Sequence, residues 1–183
     1  MVLLLGNHSA GKSSFINHIL GSEVQISGRS PSDSKFTVIQ GGNRNETLDG
    51  KTLSRQPDFT DLEKLFGSSF LPHIESKIVN NCEFLDELGI IVCDSPGMID
   101  PPGMLINGNT SHSELDRGYN FKGVLRWLSQ RSDVILLFFD PDKPGTTFET
   151  LDILANCLKG MTRKVHIILN KVDGKLNSLS ALF

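Results

Sequence analysis

Gly6-Asn7-His8-Ser9-Ala10-Gly11-Lys12-Ser13 follows the spacing G-x-x-x-x-G-K-[ST]. At that spacing each residue type has a chemical use. Two glycines let the backbone curl so that successive N–H groups point inward at a polyphosphate, and a helix starting behind the loop adds its own free N–H groups and positive dipole end. Lys12 would neutralise the β- and γ-phosphates, the Ser13 hydroxyl would ligate Mg²⁺, and the backbone from Gly6 to Ser14 would line the anion. The bland alternative is a glycine-rich strand-to-helix turn that binds nothing. The flanks oppose it, with Val2-Leu3-Leu4-Leu5 as a buried strand before the loop and Phe15, Ile16, Ile19 and Leu20 at helical spacing after it.

Two further motifs lie downstream. Asp94-Ser95-Pro96-Gly97 is D-x-x-G after an apolar run, where Asp94 would hold the metal through water and the Gly97 N–H would approach the γ-phosphate. Asn170-Lys171-Val172-Asp173 is N-K-x-D. The Asp173 carboxylate can accept two N–H groups from guanine's edge, Asn170 can bond N7 and O6, and the Lys171 stem can pack over the ring. Each motif alone is a polar turn. In this order, each at a strand end, the three make a GTPase-type site. No glutamine follows D-x-x-G to orient a water, since Met98, Ile99 and Asp100 stand there. His8 is the polar substitute, hydrogen-bonding a water or a partner subunit, or else a structural histidine bonding the loop backbone. His8 and Ser9, with Lys12, are the catalytic candidates of this loop. His18, His73, His112 and His166 have no ligand spacing and read as packing or surface residues, and Glu114, Asp116 and Arg117 as a solvated surface.

Elements must place these loops together. Gly89–Cys93, Val134–Phe139 and Val165–Leu169 read as buried strands. Phe121, Val124, Leu125 and Leu128 mark one helix face, and Leu151, Leu154 (with Ile153) and Leu158 another. Continuous apolar strands separated by amphipathic helices predict a three-layer α/β fold: a mostly parallel sheet with helices on both faces and the ligand at the carboxyl ends of the strands. Lys35–Gln40 reads as a strand, residues 43–58 as irregular, Leu62–Leu71 as a short helix broken near Gly67, and Phe84-Leu85 as extended. Residues 28–34 read as a mobile polar loop.

The totals fit one domain: 183 residues, 38% hydrophobic and 21% charged. A net charge of −3 gives no basic face for nucleic acid. Three widely spaced cysteines without C-x-x-C suggest neither a disulfide framework nor a zinc site, and imply reduced, intracellular thiols. A first strand that begins at residue 1 implies truncation there.

The chain resembles a dynamin-superfamily G domain, closest to the EHD (EH-domain-containing) ATPases and sarcalumenin. His8-Ser9-Ala10-Gly11-Lys12-Ser13-Ser14 is similar to the dynamin P-loop, which has glutamine at the His8 position. Leu65-Phe66-Gly67-Ser68-Ser69-Phe70-Leu71 resembles the EHD F-G-x-x-F-L segment, and Arg117-Gly118-Tyr119-Asn120-Phe121 with Val124-Leu125-x-Trp127 resembles R-G-Y-D-F-x-x-V-L-x-W. That last stretch speaks against an Era-like or Ras-like GTPase. The resemblance implies one dynamin-type G domain over residues 1–183, with an insertion at about 43–88 and an incomplete C-terminus. It also implies Mg²⁺-dependent, slow nucleotide hydrolysis, a homodimer across the nucleotide face, and a cytoplasmic or peripheral membrane location with membrane contact through regions outside this chain. N-K-x-D chemistry favours GTP, whereas the EHD resemblance implies ATP. In place of the family's P-T-T-[DE] run stands Pro31-Ser32-Asp33-Ser34. Asp33 at the catalytic threonine would repel a γ-phosphate, with Ser32 or Ser34 as substitutes. The alternative is therefore a catalytically degenerate G domain acting as a nucleotide-binding scaffold.

Overall fold

A computed structural model of the chain describes residues 1–26, 35–98, 117–141 and 148–172. Its centre is one mixed sheet in the order β3-β4-β2-β5-β1-β6-β7. The strands are β1 (Val2–Gly6), β2 (Phe36–Gly41), β3 (Glu46–Asp49), β4 (Ile74–Val79), β5 (Val92–Asp94), β6 (Val134–Phe139) and β7 (Val165–Leu169). β1 lies between β5 and β6, parallel to both, and β6 and β7 are parallel. β2 runs antiparallel to β5, and β3 antiparallel to β4, so the sheet is mostly parallel as the apolar runs predict. The antiparallel β2 has one consequence for the site. Its first residues lie beside the last residues of β5, with Thr37 opposite Asp94.

Alternation along β1 sorts the core into two layers. Leu3 and Leu5 face one side with the helix α5 (Phe121–Arg131), while Leu4 faces the other with α1 (Lys12–Leu20). On the α5 side, the fully buried Phe36 ring stands 5.7–6.3 Å from the rings of Phe70, Tyr119 and Phe121. Each such pair adds about 0.5–1.5 kcal/mol beyond the area it buries. α1 ends where Gly21, at φ 63, closes the last turn with its N–H on the His18 carbonyl. That left-handed geometry suits glycine. α5 begins at Asn120, whose side chain accepts from the Gly123 N–H at 2.9 Å.

Several local expectations need correction. Residues 43–58 are not irregular: they hold β3, the short helix α2 (Gly50–Leu53) and the start of a 3₁₀ turn at Pro57–Phe59. Asp49 caps α2 by accepting from the Thr52 N–H at 2.8 Å, a cap signal hidden in a polar stretch. The helix expected over Leu62–Leu71 with a break near Gly67 does stop there, as α3 (Leu62–Phe66) ending at Gly67 with φ 78; what differs is that Leu71 opens a 3₁₀ turn, Leu71–His73. Phe84-Leu85 is helical, inside α4 (Glu83–Asp86), with Leu85 buried beneath the sheet. Leu151 is 53% exposed, because α6 (Phe148–Asp152) passes into a π-helical turn at Ile153–Cys157. The wider turn shifts the apolar face to Ile153, Cys157 and Leu158. β7 is not buried on both faces either. Among the described residues it pairs with β6 alone, leaving Ile167 and Leu169 exposed.

Candidate functional site

β1, β5, β6 and β7 all end on one side of the sheet, and their loops converge there. Between β1 and α1 the chain takes the curl that the glycine spacing requires. Ser9 and Gly11 have φ of 62 and 94, and the Ala10 N–H bonds the Asn7 carbonyl at 3.1 Å. A side chain at Gly11 would be strained at this φ and would push the Asn170 amide out of place. Gly11, the N-cap of α1, has no side chain with which to cap it. The first-turn N–H groups of α1 thus carry the helix's positive end toward the loop.

The loops are tied to one another directly. Asn7 forms a parallel bridge with Met98, the His8 N–H donates to the Met98 carbonyl at 3.0 Å, and the Met98 N–H donates to the Gly6 carbonyl at 3.1 Å. Gly97 packs on the His8 backbone so closely that any side chain there would collide with it. From β7, Asn170 Nδ2 donates to the Ala10 carbonyl at 3.0 Å, and Lys171 Nζ donates to the Ser9 carbonyl at 2.7 Å. The same ammonium pairs at 2.8 Å with Asp140, a buried carboxylate at the end of β6. The Asn170 and Lys171 donors thus clasp the phosphate loop, a use that guanine-reading chemistry does not suggest.

The cleft these loops form measures about 280 Å³ and is lined by His8, Lys12, Ser13, Asp94 and Gly97 among others. Lys12 is 7% exposed, with Nζ 3.1 Å from the Gly6 carbonyl and 3.4 Å from that of Asn7. Burial pulls its pKa below the ordinary lysine value, while nearby Asp94 pulls the other way. Asp94 is 6% exposed, and burial raises its pKa against the opposing pull of Lys12, Gln25, Ser13 and Lys77. Its Oδ2 accepts from Ser13 Oγ at 3.3 Å, while its Oδ1 is buried with no hydrogen-bond partner among the described residues. A hydroxyl beside an under-satisfied carboxylate is an oxygen donor set suited to a hard divalent cation and its waters. The residues present therefore fit magnesium.

Of the sequence-predicted residues, Gly6, Asn7, His8, Ser9, Ala10, Gly11, Lys12, Ser13, Ser14, Asp94, Gly97, Asn170 and Lys171 come together here. Ser32, Asp33, His112, Glu114, Asp116 and Asp173, with the expected mobile loop at 28–34, lie outside the described residues. Arg117 overturns its expected place on a solvated surface. Its side chain is 8% exposed and forms an ion pair with Glu149 at 3.0 Å. It also donates to the Gly97 carbonyl at 3.2 Å and lies 4.0 Å from the centre of the Phe121 ring. The packing of α6 against the Asp94–Gly97 loop encloses it, and Thr150 bonds Asn7 Oδ1 at 2.7 Å in the same interface. Lys35, Thr37 and Gln25 also line the cleft, brought there by the antiparallel β2 and by the segment after α1. No motif marks them. Asp140, which directly follows an apolar strand, carried the one available signal.

The fold and this convergence of strand-end loops define a P-loop α/β domain of the G-domain class. A model of the dynamin family matches residues 2–172. Over 177 residues the chain is 33% identical to EH domain-containing protein 2 of Arabidopsis thaliana and 34% identical to that of Homo sapiens, in each case covering 94% of this chain and 30% of the relative. A structure of an oligomerised bacterial dynamin pair superposes with a TM-score of 0.64 at 18% identity, over 99% of this chain and 29% of that one. A structure of Era in complex with MgGDPNP and part of 16S ribosomal RNA gives 0.50 at 19% identity, over 99% and 43%. At such identities these two structures show the fold. This chain belongs to the dynamin family, and it spans about 30% of the length of the curated relatives it matches.

Proposed function

We propose that this domain binds a purine nucleoside triphosphate with Mg²⁺ and hydrolyses it slowly, as the G domain of an EHD-type membrane-remodelling protein. One observation carries the reading: the buried Lys12 ammonium lies within the curled loop while the orphaned Asp94 oxygen and the Ser13 hydroxyl stand at its side. Both charges are held in a desolvated cleft that a magnesium–triphosphate would neutralise. Ser13 and Asp94 would hold the cation, which supplies charge neutralisation on the β- and γ-phosphates. Lys12 adds the second positive charge, and the N–H groups of the loop and of α1 orient the phosphates. The Gly97 N–H would approach the γ-phosphate, and Arg117 anchors this loop by donating to the Gly97 carbonyl. His8 is the side chain of this loop suited to hold a water. The N-K-x-D run at 170–173 would read the base, and its chemistry favours GTP over ATP.

Names and kinship support the wider role. The curated relatives are EH domain-containing proteins, and the bacterial dynamin pair is described as sensing and tethering membranes. Among the described residues no helix is long and apolar enough to cross a membrane. In this reading membrane contact comes through regions outside this chain, and domains pair across the nucleotide face. Asp33, where the family carries threonine, favours a second reading, a nucleotide-binding scaffold with little turnover. Titrating GTP and ATP with and without Mg²⁺, then following phosphate release at high protein concentration, separates these readings. Binding with turnover supports the first. Tight binding without turnover supports the second, and no binding of either nucleotide defeats both.

A further inference from the structure

Gln25 belongs to none of the motifs, yet its side chain rests on the metal-site carboxylate. Its Nε2 donates to Asp94 Oδ2 at 2.8 Å, and its Oε1 accepts from Lys77 Nζ at 2.8 Å. An ammonium only donates, so Lys77 fixes which end of the amide faces it and which faces Asp94. The backbone here is pinned as firmly. Asn17 Oδ1, from α1, accepts from the N–H groups of Val24 and Gln25 at 3.0 and 2.8 Å, and its Nδ2 donates to the Gln25 carbonyl at 2.8 Å. Lys77 Nζ, from β4, also donates to the Val24 carbonyl at 2.6 Å. Elements from both sides therefore hold one amide in one place.

The consequence is an unequal carboxylate. Oδ2 of Asp94 is satisfied by Gln25 and Ser13, while Oδ1 is buried without a donor among the described residues. A buried acceptor in that state calls for a donor from elsewhere. Water bound to a divalent cation is such a donor. We propose that Gln25, braced by Lys77, is a positioning residue for the metal: it holds Asp94 by one oxygen so that the other stays turned to the hydration shell of the cation. This rests on the nucleotide reading above and assigns Gln25 and Lys77 roles within that site. The rival arrangement has the same contacts and the opposite sign. There the amide competes with the cation for Asp94, and removing it would help the metal bind.

The test uses the full chain, a fluorescent non-hydrolysable GTP analogue with its ATP counterpart in parallel, and a series of Mg²⁺ concentrations with EDTA as the zero point. Gln25→Leu keeps the bulk of the side chain and removes the amide. The Mg²⁺ concentration for half-maximal tightening of nucleotide binding should rise roughly ten-fold, as for other groups that orient a metal ligand. Affinity in EDTA should stay as in the wild type. Lys77→Met should shift the same midpoint in the same direction by a smaller factor, about three-fold, and carries the test should Gln25→Leu fail to fold. An unchanged midpoint overturns the proposal, as does a lower one, which is the signature of competition. Equal loss with and without Mg²⁺ overturns it too, since that marks a structural role. A wild-type chain whose nucleotide binding ignores Mg²⁺ refutes the metal site itself, and the proposal falls with it.

Discussion

Arg117→Met tests whether the buried pair with Glu149 holds the Asp94–Gly97 loop against α6. The two side chains are 8% and 13% exposed and meet at 3.0 Å, so water screens them little. Removing the cation of such a pair costs about 3–5 kcal/mol, because the remaining carboxylate stays in a desolvated place. Gly97 also loses the donor to its carbonyl, worth about 1 kcal/mol. Glu149→Gln keeps an acceptor for the guanidinium and should cost less, about 1–3 kcal/mol. The double variant should then fall short of the sum by about 1–2 kcal/mol. The assay is urea denaturation followed by fluorescence of Trp127, the one tryptophan, 6% exposed and packed against Phe59 and Phe66. For a domain of this size Arg117→Met corresponds to a fall in Tm of roughly 6–20 °C. Strict additivity, with a coupling below about 0.3 kcal/mol, would refute the claim that these two residues act on each other.

Other outcomes follow from the same geometry. Gly11→Ala should abolish nucleotide binding while the sheet folds, since a side chain there meets Asn170 in a strained backbone region costing about 1–3 kcal/mol; binding within two-fold of wild type contradicts this. Asp94→Asn should make the nucleotide-free protein more stable at neutral pH. Burial raises the Asp94 pKa, so the folded state holds this proton more tightly than the unfolded chain. The group's favourable contribution is therefore full below its unfolded value near 4 and is lost as pH rises through the raised folded value. Urea midpoints across pH should show the advantage of Asp94→Asn shrinking on acidification; a gap that widens is the wrong sign. Lys171→Met should weaken binding by loosening the base-side loop from Ser9 and leaving Asp140 without this cation, with nucleotide dissociation measured by stopped flow rising at least several-fold. Ser13→Asn should reduce the Mg²⁺-dependent part of binding more than the part seen in EDTA.

The readable parts of this sequence are those where local chemistry and periodicity agree. Val2–Leu5, Val134–Phe139 and the helical face of Phe121 to Leu128 carry patterns that only burial in a sheet-and-helix stack satisfies, and the three strand-end motifs fall where such a stack brings loops together. What escaped depends on contacts far apart in the chain. Lys77 stands 52 residues from Gln25 and Asn170 160 from Ala10, so no window could link them. Arg117 reads as a surface charge because its partner Glu149 and the shelter of α6 appear only on folding. Leu151 falls outside the face expected of it, while Ile153 and Leu158 of that face are buried, because a π-helical turn breaks the 3.6-residue period on which the expectation depends. β3 and α2 were hidden in polar residues whose structure comes from pairing with β4 and from the Asp49 cap.

The central claim is that the Gly6–Ser14 loop grips a triphosphate through the Lys12 ammonium beside a metal site built on Ser13 and Asp94. Calorimetric titration of the wild-type chain and Lys12→Ala with magnesium–GTP and magnesium–ATP tests it most directly. Saturable binding by the wild type, and none by a folded Lys12→Ala, is the predicted result. Equal binding by both proteins, or by neither, would contradict it.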